Sequence, residues 1–365
     1  MRVVLTLLLV VHGLIHLMGF AKAFGLAELA QLREPIAKPL GLVWLLAGLA
    51  LLVSAWLPAR SFWMVGALAL VLSQLAICTA WPDAKYGSAV NVLLLIAVAY
   101  AFVSHGPFSM GAQYREDRAA LLSQRAAPAL VSEADLAALP PPVQRYLRVS
   151  GALGQPRVHN VQALWRGRMR GAHTEPWMSF EAKQLNTWSH MPERLYFMSA
   201  RKKGLPVAVF HRFLAHDASF RVRLLSLFPL IDARGPELNR AETVTILNDL
   251  FVLAPAAVLN SAITFQSLDA QRAAVSFTRA GETVRAELHF NAAGELTSFI
   301  SDDRLRASAD GKHFVRQRWS TPLSDYRTFG PLRLASRAQS IWHAPDGDLV
   351  YGEFELRDAR NNVER

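Results

Sequence analysis

Four unbroken apolar runs occupy the first third of the chain, at Val3–Phe20, Leu40–Leu57, Phe62–Ala80 and Val90–Val103. Each approaches the ~20 residues that a helix needs to cross ~30 Å of hydrocarbon. Helices are the expected form, because a lone strand in lipid would leave its backbone groups unsatisfied. The runs therefore predict four transmembrane helices over residues 1–104, the last of them short unless it begins near Tyr86. An even number of spans returns the chain to the side on which it began.

From Val158 onward the period of the pattern is two. Val161, Ala163, Trp165, Gly167 and Met169 point one way, and Gln162, Leu164, Arg166, Arg168 and Arg170 the other, which predicts a strand with a basic outer face. Similar alternation marks Met178–Ala182, Leu195–Phe197, Ala274–Thr278, Thr283–Phe290, Leu296–Ile300, Leu332–Trp342 and Val350–Leu356. Ala280-Gly281, Ala293-Gly294, Asp310-Gly311 and Asp346-Gly347 are hairpin signals between such runs. About ten strands in an antiparallel meander are expected over 158–365. One segment breaks the period: Leu238, Val244, Leu247, Leu250, Phe251 and Leu253 recur at helical spacing within 236–260, ahead of Pro255. A helix inserted between two strand sets most simply packs on the concave face of a bent sheet.

Residues 105–157 join the two parts. Tyr114–Gln124 reads as a short helix with Arg115, Glu116, Asp117 and Arg118 exposed. Ser132-Glu133-Ala134-Asp135 is a capping-box-like helix start. Pro140–Pro142 end that helix and can begin another, whose apolar face is Val143, Tyr146 and Leu147. A helical linker or lid is expected here. The predicted class is thus membrane all-α followed by α+β, a strongly curved antiparallel half-barrel packed on one or two helices.

Charge follows the same division. Up to Ser104 there are six Lys/Arg and three Asp/Glu, a net +3, and the remaining residues carry net +7. Basic residues flank the two faces of the predicted bundle four against four, so the positive-inside rule assigns no orientation. The first run has a basic residue and an Ala21-Lys22-Ala23 end like a signal peptide, but its single Arg2 and its interior His12 and His16 argue for a retained helix. The positive balance fits anionic headgroups and equally a solvated surface. Nucleic acid is not an expected partner, because zinc spacing, RNP-like runs and helix-turn-helix patterns are all missing. The one cysteine, Cys78, allows no internal disulfide and says nothing of redox compartment.

Glycine-rich phosphate loops, nucleophile elbows, HExxH and EF-hand patterns are absent, and neither a cofactor nor a metal is expected. Looser groupings remain. His12 and His16, four apart, share a helix face but lack the third ligand of a catalytic zinc site, and with Ser73 and Gln74 are expected to hydrogen-bond between helices. Asp83, Lys85 and Asn91 cluster at the turn between the third and fourth runs, where the Asp83–Lys85 pair is expected as an interfacial anchor. Glu242 and Asp249, seven apart, share a face with Asn248 beside them. They suit acid–base work, or a solvated helix face, or pairing with Arg234 and Arg240. His211, His216, Asp217 and the distant His190 have no specific metal spacing. Arg166, Arg168 and Arg170, with the loop cluster Arg201, Lys202 and Lys203, are candidates for anionic lipid or an acidic partner, or for edge protection. Trp165, Trp177, Trp188, Phe180, Phe197, Phe210, Phe220, Trp319 and Trp342 would line an apolar ligand cavity, or fill an ordinary core.

The element order of the soluble part resembles the lipoprotein-carrier (Lol-type) half-barrels of the bacterial envelope, by analogy only. "LPPPVQRYLRVSG" (139–151), "WMSFEAKQ" (177–184), "RAETVTILNDLFVLAP" (240–255) and "GELTSFISDDR" (294–304), with "HGLIHLMGFAKAFG" (12–25) before them, resemble a family of uncharacterised bacterial proteins. Its members carry this β-rich domain, sometimes behind a polytopic membrane part. That resemblance implies architecture and no activity. The ending departs from it, since "RDARNNVER" (357–365) lacks a clear final apolar strand.

Three functions follow as expectations. The first is a multi-pass protein of the bacterial inner membrane whose soluble half-barrel binds a lipid-like or other apolar ligand, or an envelope partner. Its candidate ligand contacts are Trp165, Trp177, Phe180, Phe197, Glu242, Asn248 and Asp249. The second is a lipid- or envelope-directed hydrolase or transferase using Glu242, Asp249, His211 or His216. The third is a membrane-anchored docking scaffold.

Overall fold

A computed structural model describes residues 2–123, 129–188, 191–259 and 262–364. The chain divides into two compact units, Met1–Gln113 and Tyr114–Arg365.

The first unit is helical: α1 (Arg2–Ala23), α2 (Lys38–Ser54), α3 (Ala59–Thr79), the single turn α4 (Trp81–Ala84) and α5 (Gly87–His105). α6 (Met110–Leu121) begins here and continues past the unit boundary. Among the described residues, three helical stretches are long and apolar enough to cross a membrane, Arg2–Ala23, Ala59–Thr79 and Gly87–Leu121. This corrects the expectation of four. α2 enters at Pro39 and ends at Ser54, so its 17 residues reach about 25 Å at ~1.5 Å per residue, short of the ~30 Å hydrocarbon thickness. Ala55–Leu57, apolar in sequence, lie outside the helix.

The packing of this unit inverts that of a water-soluble bundle. Large apolar side chains such as Leu46, Leu68, Val71, Leu95 and Ile96 are exposed, while small and polar residues are buried. α1 and α2 meet through glycine, since a Cβ on Gly48 would fall 2.9 Å from the Gly13 carbonyl oxygen and one on Gly19 would fall 2.3 Å from the Trp44 ring. Close backbone approach of this kind is how helices associate in lipid.

In the second unit, α7 (Glu133–Ala137) and α8 (Pro141–Val149) precede the strands. α7 starts on the Ser132–Asp135 capping box. Six strands form the first meander: β1 (Asn160–Met169), β2 (Met178–Thr187), β3 (Glu193–Lys202), β4 (Leu205–Leu214), β5 (Asp217–Leu224) and β6 (Phe228–Arg234). α9 (Pro236–Leu253) and a 3-10 turn (Pro255–Leu259) follow. The second meander is β7 (Ile263–Ser267), β8 (Arg272–Arg279), β9 (Glu282–Phe290), β10 (Leu296–Ser301), β13 (Trp319–Phe329), β14 (Leu332–Trp342) and β15 (Leu349–Asn361). A separate hairpin of β11 (Leu305–Ala307) and β12 (Phe314–Arg316) sits between β10 and β13.

Among the described residues, thirteen strands make one antiparallel sheet in the order β6-β5-β4-β3-β2-β1-β15-β14-β13-β10-β9-β8-β7. The first and last strands of the unit pair at its centre, and β6 and β7 are its free edges. The sheet is open, and α9 is the connection between its two edges. Every residue of α9 from Ala241 to Leu253 is buried. A helix covered on all sides requires the sheet, with α8 and the 3-10 turn, to wrap around it.

β15 also answers the irregular ending of the sequence. The strand runs through to Asn361, with Val161 opposite Asn361 and Ala163 opposite Ala359. Arg357, Asp358 and Arg360 are tolerated within it because the register shifts between Leu164 and Trp165, which lets both Leu356 and Ala359, three apart, be buried.

Candidate functional site

Alternation along β2 brings Phe180, Ala182, Gln184 and Asn186 onto the face turned toward α9, and on β3 it does the same for Arg194, Tyr196 and Met198. Two of these strands therefore present polar side chains where apolar ones are the rule. α9 meets them with Glu242 and Asp249, which share one face.

The result is a buried network centred on Arg194. Its Nε donates to Asp249 Oδ2 at 2.7 Å and its Nη1 to Glu242 Oε2 at 3.1 Å. Asp249 Oδ2 also accepts from Gln184 Nε2 at 2.7 Å and Asn186 Nδ2 at 3.1 Å. Trp165 Nε1 donates to Gln184 Oε1 at 2.8 Å, which ties β1 into the same network. On β4, His211 Nδ1 lies 3.1 Å from Glu242 Oε1. The His211 ring stacks on Phe220 with centroids 4.2 Å apart and meets Tyr196 edge-on at 5.9 Å.

Burial drives the Glu242 carboxyl upward, but His211, Arg194 and Arg304 outweigh it and hold the group at about 2. Burial pulls His211 below its ordinary value against the attraction of Glu242. The guanidinium charges of Arg194 and Arg304 help to keep Glu242 ionised. Burial leaves Asp249 above the usual carboxylate range, although Arg194 and Asn186 oppose the shift. Arg194 is raised, because Asp249 and Glu242 overcome the cost of burying it.

An aromatic wall adjoins the network. Arg304 donates through Nη1 to the Ala241 carbonyl at 2.8 Å and to Thr245 Oγ1. Its guanidinium lies 4.6 Å from the Trp319 ring centroid and 5.7 Å from that of Trp342. Trp342 stacks on Tyr351, and Trp319 Nε1 donates to Tyr351 Oη at 3.1 Å. Two buried polar atoms here, Tyr196 Oη and Asn248 Oδ1, have no hydrogen-bond partner among the described residues. Thr245 and Asn248, three apart, lie on the same side of α9.

Of the residues singled out from sequence, Trp165, Phe180, Glu242, Asn248 and Asp249 come together in this interior. The α9 carboxylates are buried on Arg194 and not solvated. Arg240 pairs instead with Glu282 and Asp303, and Arg234 with Asp232. Phe197 lies on the opposite face of β3, against Phe210 and Tyr114, because the period of two separates it from Tyr196 and Met198. Trp177 precedes β2 and sits between Arg168 and Arg170, each guanidinium 4.6 Å from a ring centroid of the indole. Arg168 also pairs with Glu353 at 2.6 Å, and Arg166 is exposed. Arg201, Lys202 and Lys203 are exposed around the β3–β4 turn. His216 and Asp217 occupy the exposed β4–β5 turn, and His190 lies outside the described residues. No group of three His, Cys, Asp or Glu side chains gathers for a metal ion among the described residues.

Sequence reading passed over Arg194, Gln184, Asn186, Tyr196 and Arg304. The available signal was polar residues at the buried phase of β2 and β3.

In the helical unit, His12 Nε2 lies 3.2 Å from Ser73 Oγ and 3.1 Å from Asn91 Oδ1. Asn91 Nδ2 donates to Gln74 Oε1 and Gln74 Nε2 to Ser88 Oγ, so the chain of bonds links α1, α3 and α5. His16 Nδ1 faces the His12 carbonyl at 2.9 Å. Asn91 thus belongs to this buried chain. Asp83 accepts instead from the backbone N–H groups of Arg33 and Glu34.

The profile described as "Family of unknown function (DUF6544)" matches residues 129–354. No curated protein matches the chain. Among solved structures, a putative outer membrane lipoprotein-sorting protein domain from Vibrio parahaemolyticus is 11% identical, aligned over 55% of this chain and 85% of that one, with a TM-score of 0.32. A LolA superfamily protein from Nitrosomonas europaea is 10% identical over 65% of this chain and 96% of that one, at 0.34. A DUF1329 family protein from Desulfovibrio piger is 11% identical over 64% and 95%, at 0.28. Superpositions this loose assign no ligand to this chain.

Proposed function

The chain belongs to the DUF6544 family, a family of unknown function, and from that premise we propose that it is a membrane-anchored binding protein whose β unit takes up a lipid-like, mainly apolar ligand bearing a polar end. The observation that carries this reading is that two buried atoms, Tyr196 Oη and Asn248 Oδ1, have no hydrogen-bond partner among the described residues, in an interior that also holds Trp165, Phe180, Trp319 and Trp342. A buried polar atom without a partner costs about 1–3 kcal/mol, which a ligand's polar end would recover. Glu242 and Asp249, locked on Arg194, fix α9 as one wall. The apolar helices supply the anchor, in a cytoplasmic-type membrane where spans are helical.

The test is native mass spectrometry of the full chain purified in detergent. A lipid-sized adduct is expected, and Trp342→Ala is expected to lose it. A chain that carries no adduct and takes none up from mixed micelles overturns the reading.

The His211–Glu242 pair favours a second reading, a lipid- or envelope-directed hydrolase or transferase in which Glu242 orients the imidazole as a base. An unchanged phenotype after alanine replacement of Glu242, Asp249, His211 and His216 removes it.

A further inference from the structure

At one end of the sheet, two hairpin turns lie side by side. Lys202 pairs with Leu205 across the β3–β4 turn, and Leu224 with Phe228 across the β5–β6 turn. The Leu225 N–H donates to the Pro206 carbonyl at 2.8 Å, which fastens one turn to the other. The β5–β6 tip reads Leu225-Ser226-Leu227-Phe228-Pro229-Leu230, apolar at every position but one.

These side chains are not used by the core. Leu205, Leu227, Phe228 and Leu230 are 47%, 54%, 54% and 48% exposed. Hairpin tips are normally polar, and a contiguous exposed apolar patch marks an interaction surface. The backbone of the tip is also unusual. Leu225 and Ser226 both hold positive φ, 54° and 59°, where glycine or asparagine would sit without strain.

The patch is bordered by positive charge. Arg201, Lys202 and Lys203 are exposed beside Leu205, and Arg223 stands opposite Pro229 in the register. Two acids are close by. Glu175 lies 3.8 Å from Lys202, and Asp232 lies 3.8 Å from Arg234. Apolar side chains at a tip with basic residues beside them match an anionic bilayer surface, where hydrocarbon adjoins phosphate.

We propose that this end of the β unit docks on an anionic lipid bilayer, with Leu205, Leu227, Phe228 and Leu230 entering the headgroup layer and Arg201, Lys202 and Lys203 meeting the phosphates. The docking is independent of any ligand within the sheet.

The full chain is reconstituted into vesicles with Cys78→Ser and Phe228→Cys, and residue 228 carries an environment-sensitive fluorophore. Ala293→Cys, on the β9–β10 turn at the opposite end of the sheet, is the control. In phosphatidylglycerol-containing vesicles the label at 228 is expected to shift to the blue and to be quenched by doxyl lipids, whereas the label at 293 does neither. Charge reversal by Lys202→Glu and Lys203→Glu is expected to weaken the interaction roughly fivefold per basic residue lost. Phe228 is exposed, so its replacement leaves the fold intact. A label at 228 that stays aqueous in anionic vesicles overturns the proposal. So does a blue shift equally present in detergent, or one that disappears as protein is diluted in lipid, which would mark pairing between copies along the β6 edge.

Discussion

Arg194 joins β3 to α9 inside the sheet. It satisfies two carboxylates that sit a full seven residues apart on α9, and both carboxylates are buried. A buried ion pair contributes little net stability relative to apolar packing, but removing one partner strands the other in a low dielectric. Arg194→Met is therefore expected to cost about 3–5 kcal/mol. The triple variant Arg194→Met, Glu242→Gln, Asp249→Asn should recover part of that loss, because no stranded charge remains. Thermal unfolding of the full chain in detergent, followed by tryptophan fluorescence, distinguishes them. A loss below about 1 kcal/mol for Arg194→Met would mean that water reaches the carboxylates.

Elements were more legible than their partners. The sequence passes from apolar runs in the helices to a period of two in the strands, and the Ser132–Asp135 capping box opens α7. Helical spacing marks α9 but not its burial on every face, because Glu242, Asn248 and Asp249 suit a solvated side as well as a site. Only the polar positions on facing strands reveal that they are inward. Apolar composition overstates the α2 span, because it continues to Leu57 whereas the backbone leaves the helix after Ser54. Glycine was the underused signal in this part. Gly48 brings α2 against the Gly13 carbonyl, and a Cβ at 2.9 Å from backbone has nowhere to go. Gly48→Leu should separate α1 from α2, whereas Leu46→Ala, on the exposed face, should leave them paired. Disulfide trapping between cysteines placed on the facing sides of α1 and α2 measures this, and full trapping in Gly48→Leu would refute it.

At the scale of the molecule, the decisive feature is that the first and last strands of the β unit are neighbours at the centre of its sheet. β15 pairs with β1 along nine positions and with β14 on its other side. Without it the sheet falls into two arms, β1–β6 and β7–β14, joined along the chain by α9 and across space by contacts such as Arg279 on the Pro192 and Ala215 carbonyls. Leu349, Leu356 and Ala359 would also leave the core. A chain ending at Asp348 is therefore expected to lose the fold of its β unit outright, since the lost ladders and burial exceed the ~5–15 kcal/mol that stabilises a typical domain. A chain ending at Val363 keeps β15 and the pair of bonds between Asn160 and Val363, at 2.9 and 3.2 Å, and should fold. Limited proteolysis of the two chains in native membranes separates the cases, a resistant β unit being expected only from the longer. The same connectivity delays closure of the sheet until the last strand has been made, so the two arms must persist unpaired at β1 and β14 until then. Non-local pairing of this kind folds slowly. Equal protease resistance in both chains would mean that β1 and β14 can pair directly, and that α9, not β15, holds the arms together.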